Sequence, residues 1–252
     1  MKIIFLFLVL SLTCEAHMNK KPLIIGHRGA CGYAPENTLA SFSKALEFGV
    51  DMIEFDVHLC KSGELVVIHD ATVDRTTNGT GYVKNLTLSE LQKLDAGNGE
   101  KVPTLQEVLA LINRKCIVNI ELKGPHTALP VAQVIQEYIQ KNNWHYSDFL
   151  VSSFNHRQLA IVKQLDSQIP LGVLVRCVPV HYAQIAEELD AVAIIAYYQE
   201  TENGFIQDSH KRGLNFYVWT VNEPNDIQEM FALGVDGIIG NYPDRILKEL
   251  ER

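Results

Sequence analysis

Short runs of β-forming residues alternate with amphipathic helical patterns along most of this 252-residue chain. Eight such runs occupy residues 23–26, 52–57, 116–122, 149–152, 171–175, 191–196, 215–220 and 237–240. Apolar residues at helical spacing separate them, most clearly at residues 38–48, 105–113, 128–141, 156–165, 180–189 and 226–233. Strands that alternate with helices pair in parallel, so the pattern predicts an α/β fold, and eight units close most economically into a (β/α)₈ TIM barrel.

An open, doubly wound sheet is the alternative to the barrel. That architecture often binds a dinucleotide at a GxGxxG turn after its first strand. Here the first predicted strand leads into Gly26-His27-Arg28-Gly29, which lacks that spacing. We therefore favour the barrel, in which functional residues gather at the carboxyl ends of the strands.

One connection is much longer than the others. About fifty residues separate the second strand from the helix predicted at 105–113, where two to six residues are usual. This segment holds a strand pattern at 64–68, a turn-rich stretch at 76–81 and a short helical pattern at 89–94. We predict one barrel domain over residues 23–252, with a small insertion after strand 2, at about residues 58–103, on the catalytic face.

The first sixteen residues have the pattern of a signal peptide. Lys2 precedes an apolar run at residues 3–12, and the small residues Cys14 and Ala16 allow cleavage before His17. This run is too short to cross a bilayer, which takes about twenty apolar residues. We predict an exported protein, periplasmic or secreted, with a cytoplasmic protein as the alternative, and no stable membrane span.

The charge of the chain argues against nucleic acid as a partner. The chain has 22 basic and 30 acidic residues, a net charge of -8, and no basic stripe. Such a charge repels a polyanion, so a small-molecule substrate is expected, and no particular oligomeric state is indicated. Cys31, Cys60, Cys116 and Cys177 have no framework-like spacing, so we expect buried free thiols rather than disulfides.

Carboxylates alternate with apolar side chains along the second predicted strand. In Ile53-Glu54-Phe55-Asp56-Val57, the apolar side chains share one face, which must pack against the helices. Glu54 and Asp56 therefore point into the barrel.

The next barrel strand repeats this pattern, because Asn119, Glu121 and Lys123 share one face. Neighbouring strands lie about 4.8 Å apart, so Glu121 should meet Glu54 and Asp56 around one point. Three buried carboxylates repel one another unless a cation lies between them. An oxygen-only set of ligands selects a hard ion, so we predict one divalent cation, Mg²⁺ or Ca²⁺.

Two histidines should reach the same rim of the barrel. His27 follows the first strand and His69 closes the strand pattern of the insertion. Their position beside a metal site predicts that one acts as a general acid and the other as a general base. Arg28 and Lys123 can bind a phosphate. In the alternative, these two cations form ion pairs with the acids and no metal binds. Trp219, inward by strand parity, is either a core residue or a wall against the substrate. The combination predicts cleavage of a phosphodiester.

At these residues the chain resembles the glycerophosphodiester phosphodiesterase family. The matching segments, in order, are His27-Arg28-Gly29-Ala30, Pro35-Glu36-Asn37-Thr38, Glu54-Phe55-Asp56-Val57, His69-Asp70, residues 74–81, Glu121-Leu122-Lys123, Trp219-Thr220-Val221-Asn222 and Gly234-Val235-Asp236-Gly237. The resemblance covers about residues 23–250. It implies a TIM barrel that hydrolyses glycerophosphodiesters to an alcohol and sn-glycerol 3-phosphate, with water or a substrate hydroxyl attacking first.

The resemblance also implies a role for each site residue. His27 and His69 are the acid/base pair, Glu54, Asp56 and Glu121 hold the divalent cation, Arg28 and Lys123 bind phosphate, and Trp219 lies near the substrate. The chain departs from the family pattern at Cys31, where Ser is frequent, and at Gly240-Asn241, where Thr-Asp is common. Two alternatives are a lysophospholipase D or phospholipase C type of enzyme acting on lipid, and an exported diester-binding protein without turnover.

Overall fold

The computed structural model, which describes residues 21–252, confirms the predicted barrel. Its strands are β1 (Leu23–His27), β2 (Met52–Leu59), β3 (Leu65–Val67), β4 (Ile117–Leu122), β5 (Phe149–Ser153), β6 (Leu171–Val175), β7 (Ala193–Tyr197), β8 (Asn215–Trp219) and β9 (Gly237–Gly240). Every strand except β3 belongs to one parallel sheet, and the pairing of β1 with β2 closes that sheet. The predicted signal peptide, residues 1–16, lies outside the described residues.

Helices cover the outside of the barrel. They are α1 (Leu39–Glu47), α2 (Leu88–Leu91), α3 (Leu105–Ile112), α4 (Ala128–Lys141), α5 (His156–Leu165), α6 (Gln184–Glu188), α7 (Asn203–Lys211), α8 (Pro224–Leu233) and α9 (Pro243–Leu250). All but α2 connect or follow barrel strands. Within residues 21–252, none of them combines the length and hydropathy that a membrane span requires.

Local signals explain several of the helix ends. The Thr38 side chain caps α1 by accepting a hydrogen bond from the Ser41 backbone N–H. Pro224 occupies the first turn of α8, where its missing N–H costs nothing. Gly234 ends that helix with φ 82°, a left-handed conformation that suits glycine.

The predicted helix at residues 180–189 is wrong over its first half. Only Gln184–Glu188 is helical, because Tyr182 has φ 46° and Val180 is 91% exposed. The patterns at α7 and α9 were not among the predicted helices. In α7, Gly204 occupies the first turn and weakens the local preference for helix.

Side-chain parity along the strands produces two hydrophobic layers. Ile53 and Phe55 face outward into the layer that packs against the helices, which includes Leu105. Met52 and Ile25 face inward and help to fill the barrel axis. Full burial of a side chain of this size contributes about 1.5–3 kcal/mol. The outward packing of the apolar set turns the alternate positions of β2 toward the barrel interior.

The insertion has a small hydrophobic cluster of its own. β3 pairs antiparallel with β2, with Val67 opposite Val57. Behind it, Ile68, Val73 and Leu91 belong to a cluster separate from the two barrel layers. This packing places the residues that follow β3 beside the carboxyl end of β2.

The four cysteines within residues 21–252 are free. Cys60 is buried, Cys31 and Cys116 are half-buried, and Cys177 is exposed. The expectation of buried thiols is therefore correct only for Cys60. Cys177 lies outside the core because it follows β6 at the rim of the barrel.

Candidate active site

Three carboxylates converge at the carboxyl ends of β2 and β4. Glu54 and Asp56 come from β2, and Glu121 of β4 lies opposite Asp56 in the sheet register. One oxygen from each carboxylate lies within 4.8 Å of the other two. All three side chains are buried. The structure thus brings together the three acids that strand parity places inside the barrel.

Burial and mutual repulsion perturb these acids. Burial, and to a smaller extent the charges of Asp56 and Glu121, raise the pKa of Glu54 well above its usual value. Burial and the charge of Asp56 raise the pKa of Glu121 to about 7. Two cations partly compensate, because Arg28 Nε lies 3.4 Å from Asp56 Oδ2 and Lys123 Nζ lies 3.0 Å from Glu121 Oε1. These are the ion pairs that the metal-free alternative anticipates.

The ion pairs leave one carboxylate oxygen unsatisfied. Asp56 is fully buried, yet its Oδ1 has no hydrogen-bond partner within the described chain. A bare buried carboxylate oxygen is costly unless a cation or a donor reaches it. The cluster also offers only oxygen ligands, which hard divalent cations prefer. The residues present therefore fit a bound Mg²⁺ or Ca²⁺.

The loop between β1 and α1 holds Arg28 against the acids. Arg28 has φ 50°, and its backbone N–H donates to Glu54 Oε2 at 3.0 Å. Its carbonyl oxygen accepts from Ser41 Oγ at 2.7 Å. The next residue, Gly29, has φ 85° and lies so close to Ser41 that a Cβ atom would not fit. Glycine at this position lets the loop turn back onto the acids.

His27 points into the barrel and is fixed through one ring nitrogen. Its Nδ1 lies 2.7 Å from Asn241 Oδ1, which also accepts a hydrogen bond from Cys31 Sγ at 3.1 Å. Burial raises the pKa of the Cys31 thiol to about 12, so this thiol keeps its proton and donates. Because an oxygen accepts at Nδ1, His27 carries its hydrogen there and presents a lone pair at Nε2. Burial, and to a smaller extent the charge of Arg28, lower the pKa of His27 to about 4.

A chain of ion pairs connects His69 in the insertion to the barrel. His69 Nδ1 lies 2.6 Å from Asp70 Oδ1, and Arg75 Nε donates to Asp70 Oδ2 at 2.7 Å. Arg75 also donates two hydrogen bonds of 2.8 Å to the Glu36 carboxylate. Glu36 in turn accepts from Arg28 at 2.7 Å. The orientation of both histidines is therefore set by partners outside the acidic cluster.

The opposite half of the barrel mouth is aromatic. Phe154 packs edge to face on Trp219 with ring centroids 5.4 Å apart, and Trp219 lies 5.3 Å from Tyr197. Lys123 Nζ sits 5.6 Å from the Phe154 centroid, and the Arg176 guanidinium carbon sits 5.6 Å from the Tyr197 centroid. Trp219 is half-buried, which agrees with a position at the edge of a site.

Seven residues of this site have no role in the sequence-based prediction. They are Glu36, Asp70, Arg75, Phe154, Arg176, Tyr197 and Asn241. Glu36, Asp70 and Arg75 stand within segments that carry the family resemblance, and that was the available signal. Arg176 and Asn241 each follow directly after a strand, at the rim where barrel active sites lie.

The fold and this site are those of a (β/α)₈ barrel protein that has a cluster of carboxylates suited to a cation, and two histidines, at the mouth of the barrel. Residues 27–245 match the glycerophosphoryl diester phosphodiesterase family. The chain belongs to that family.

Known proteins of this family cover nearly the whole chain. A glycerophosphodiester phosphodiesterase of Caldanaerobacter subterraneus is 40% identical over 236 residues, which is 90% of this chain and 97% of the relative. A lysophospholipase D of Rattus norvegicus is 27% identical over 290 residues, covering 95% and 91% of the two chains. The solved structure of an Oleispira antarctica phosphodiesterase in complex with the product sn-glycerol 3-phosphate superposes with a TM-score of 0.85 at 30% identity, covering 92% and 97%.

Proposed function

We propose that the protein hydrolyses glycerophosphodiesters to an alcohol and sn-glycerol 3-phosphate in a reaction that depends on a divalent cation. The convergence of Glu54, Asp56 and Glu121, with an unpartnered buried oxygen on Asp56, carries this proposal. The family of the chain and the product bound to the similar solved phosphodiesterase support the same class of substrate.

Glu54, Asp56 and Glu121 would hold a single Mg²⁺ or Ca²⁺. When bound, such a cation polarises phosphate oxygens and neutralises the charge that develops on them in the transition state. Arg28 and Lys123 border the same acids and are proposed to bind the phosphate.

The two histidines are proposed to move the protons. His27 Nε2 carries a lone pair because Nδ1 donates to Asn241, so it suits the base that accepts the proton of the attacking oxygen. His69, held at Nδ1 by Asp70, would then donate a proton to the alcohol oxygen as the phosphorus–oxygen ester bond breaks. One phosphorus–oxygen bond forms and one breaks, and one proton is accepted and one donated. When water attacks, the sum is hydrolysis of the diester.

The test is an assay of sn-glycerol 3-phosphate release from a panel of glycerophosphodiesters, with Mg²⁺, with Ca²⁺ and with excess chelator. We expect activity only with a cation, and losses of about 100-fold or more in His27→Gln and Asp56→Asn. Glu47→Gln, an exposed acid of α1, is the control and should retain activity. Equal activity with excess chelator would contradict the proposal.

The same assay separates the alternatives. Activity that begins only above the critical micelle concentration of a lysophospholipid would favour a lysophospholipase D, like the 27% identical relative from Rattus norvegicus. Calorimetry that shows diester binding without hydrolysis would favour a binding protein.

We also propose that residues 1–16 direct export, because their basic start, apolar run and small residues have the order of a signal peptide. N-terminal sequencing of the exported protein should then begin at His17. An unprocessed chain confined to the cytoplasm would refute this.

A further inference from the structure

The mouth of the barrel is divided into two chemically different halves. The acids and His27 come from β1, β2 and β4. Phe154, Arg176, Tyr197 and Trp219 stand at the carboxyl ends of β5, β6, β7 and β8 in turn. Since the strand ends meet at one rim, the second half of the mouth lies beside a phosphate bound at the acids, where a group esterified to that phosphate can reach it.

Two of the rings in this half already have a protein cation over one face. Lys123 lies over Phe154, and Arg176 lies over Tyr197. Trp219 is packed between those two rings. A quaternary ammonium head group binds best to free aromatic faces. Here it would meet two like charges, those of Lys123 and Arg176, beside the rings.

Arg176 is the cation with unused binding capacity. Lys123 is paired with Glu121 at 3.0 Å, whereas Arg176 forms no ion pair with a carboxylate anywhere in residues 21–252. Its guanidinium is exposed and held against Tyr197, so a planar fork of donors stands at the rim. A carboxylate or phosphate is the natural partner for such a fork.

We propose that Phe154, Arg176, Tyr197 and Trp219 form a subsite for the alcohol portion of the diester, and that Arg176 selects an alcohol that carries its own anionic group. The inference rests on the proposed diesterase function and adds the class of head group. Arg176 is a specificity residue in this scheme and takes no part in bond breaking.

Glycerophosphoserine and glycerophosphoethanolamine test the proposal, because their head groups differ only by one carboxylate. With Mg²⁺ or Ca²⁺ present, we expect kcat/KM to be about twofold to fivefold higher for the serine diester in the wild-type protein, as for one exposed charged contact. Arg176→Gln should bring the ratio close to one while changing kcat/KM for the ethanolamine diester less than about twofold. Arg176→Glu should reverse the preference.

Arg114→Gln is the matched control, because it removes the same charge from the opposite end of the barrel, just before β4. It should leave the serine-to-ethanolamine ratio unchanged. An equal loss for both diesters in Arg176→Gln would overturn the proposal, since Arg176 would then bind the half that the two substrates share. A wild-type ratio of one would overturn it as well. If the wild-type protein cleaves neither diester, the diesterase function itself fails.

Discussion

Glu36 joins the barrel to the insertion, because its carboxylate accepts hydrogen bonds from both Arg28 and Arg75. Burial would raise the pKa of Glu36, but the hydrogen bonds and charges of the two arginines outweigh it and lower the pKa from 4.5 to about 2. At about 1.4 kcal/mol per pH unit, this difference corresponds to about 3 kcal/mol of stability at neutral pH. Water around the partly exposed Arg75 reduces the figure to about 1–2 kcal/mol.

We therefore predict that Glu36→Gln lowers the free energy of unfolding by about 1–2 kcal/mol at pH 7. A lowered pKa contributes stability above the unfolded-state value of 4.5 and loses it as the pH falls toward 2, so the deficit of the variant should shrink across that window. Urea unfolding at pH 7, 5, 4 and 3 measures this trend.

Glu47→Gln is the control, because Glu47 pairs with Lys44 on the surface and should contribute about 0–0.5 kcal/mol. A deficit in Glu36→Gln that is as large at pH 3 as at pH 7 would refute the reasoning. So would a deficit no larger than that of the control.

Three further perturbations test the site and its scaffold. Asp56→Asn should abolish the stabilisation that Mg²⁺ or Ca²⁺ is expected to give the wild-type protein, which is about 2.7 kcal/mol at a hundredfold excess over Kd. Thermal scans measure this stabilisation as a rise in Tm. Asn241→Leu cannot accept the hydrogen of His27 Nδ1, so kcat should fall about tenfold to hundredfold at nearly constant KM, whereas Asn241→Asp keeps the acceptor and most of the rate. Gly29→Ala should lower the free energy of unfolding by about 3 kcal/mol, because the left-handed φ costs about 1–2 kcal/mol and the added Cβ meets Ser41.

For each of these variants, one result would contradict the prediction. Cation-induced stabilisation that survives in Asp56→Asn would place the ion elsewhere. Full activity in Asn241→Leu would show that His27 needs no oriented partner. Gly63→Ala separates the two costs at Gly29, because Gly63 also has a positive φ, 98°, but open space around its Cβ position. If both alanine variants lose the same stability, no clash occurs at Gly29.

The sequence was most informative where side-chain direction follows from strand geometry. The alternation of apolar and acidic residues in β2 is enough to identify Glu54 and Asp56 as inward residues. Strand register then brought Glu121 beside Asp56, because parallel neighbours align at nearly constant spacing. Helix signals such as Thr38 and Pro224 were local, and each was readable from a few adjacent residues.

The partner of His27, and the ion pairs that continue from Asp70 to the barrel, were not readable in this way. Asn241 lies 214 residues from His27, and only the closed barrel brings β9 beside β1. Glu36 and Arg75 are 39 residues apart and belong to two different loops, whose conformations follow no simple period. The spacing of apolar residues at 180–189 also predicted too long a helix, because exposed turns form the first half of that segment.

The two histidines are held by different parts of the fold, since His27 ends β1 whereas His69 follows β3 and adjoins the separate hydrophobic cluster of the insertion. Enzymatic activity therefore requires that the insertion stay packed against the barrel. Local unfolding of the insertion, or a protease cut within it, should remove His69 from the site and abolish activity while the barrel stays folded. As conditions become more denaturing, activity should therefore be lost before the spectroscopic signal of the folded barrel. The difference between the two transition points measures how tightly the insertion is held against the barrel.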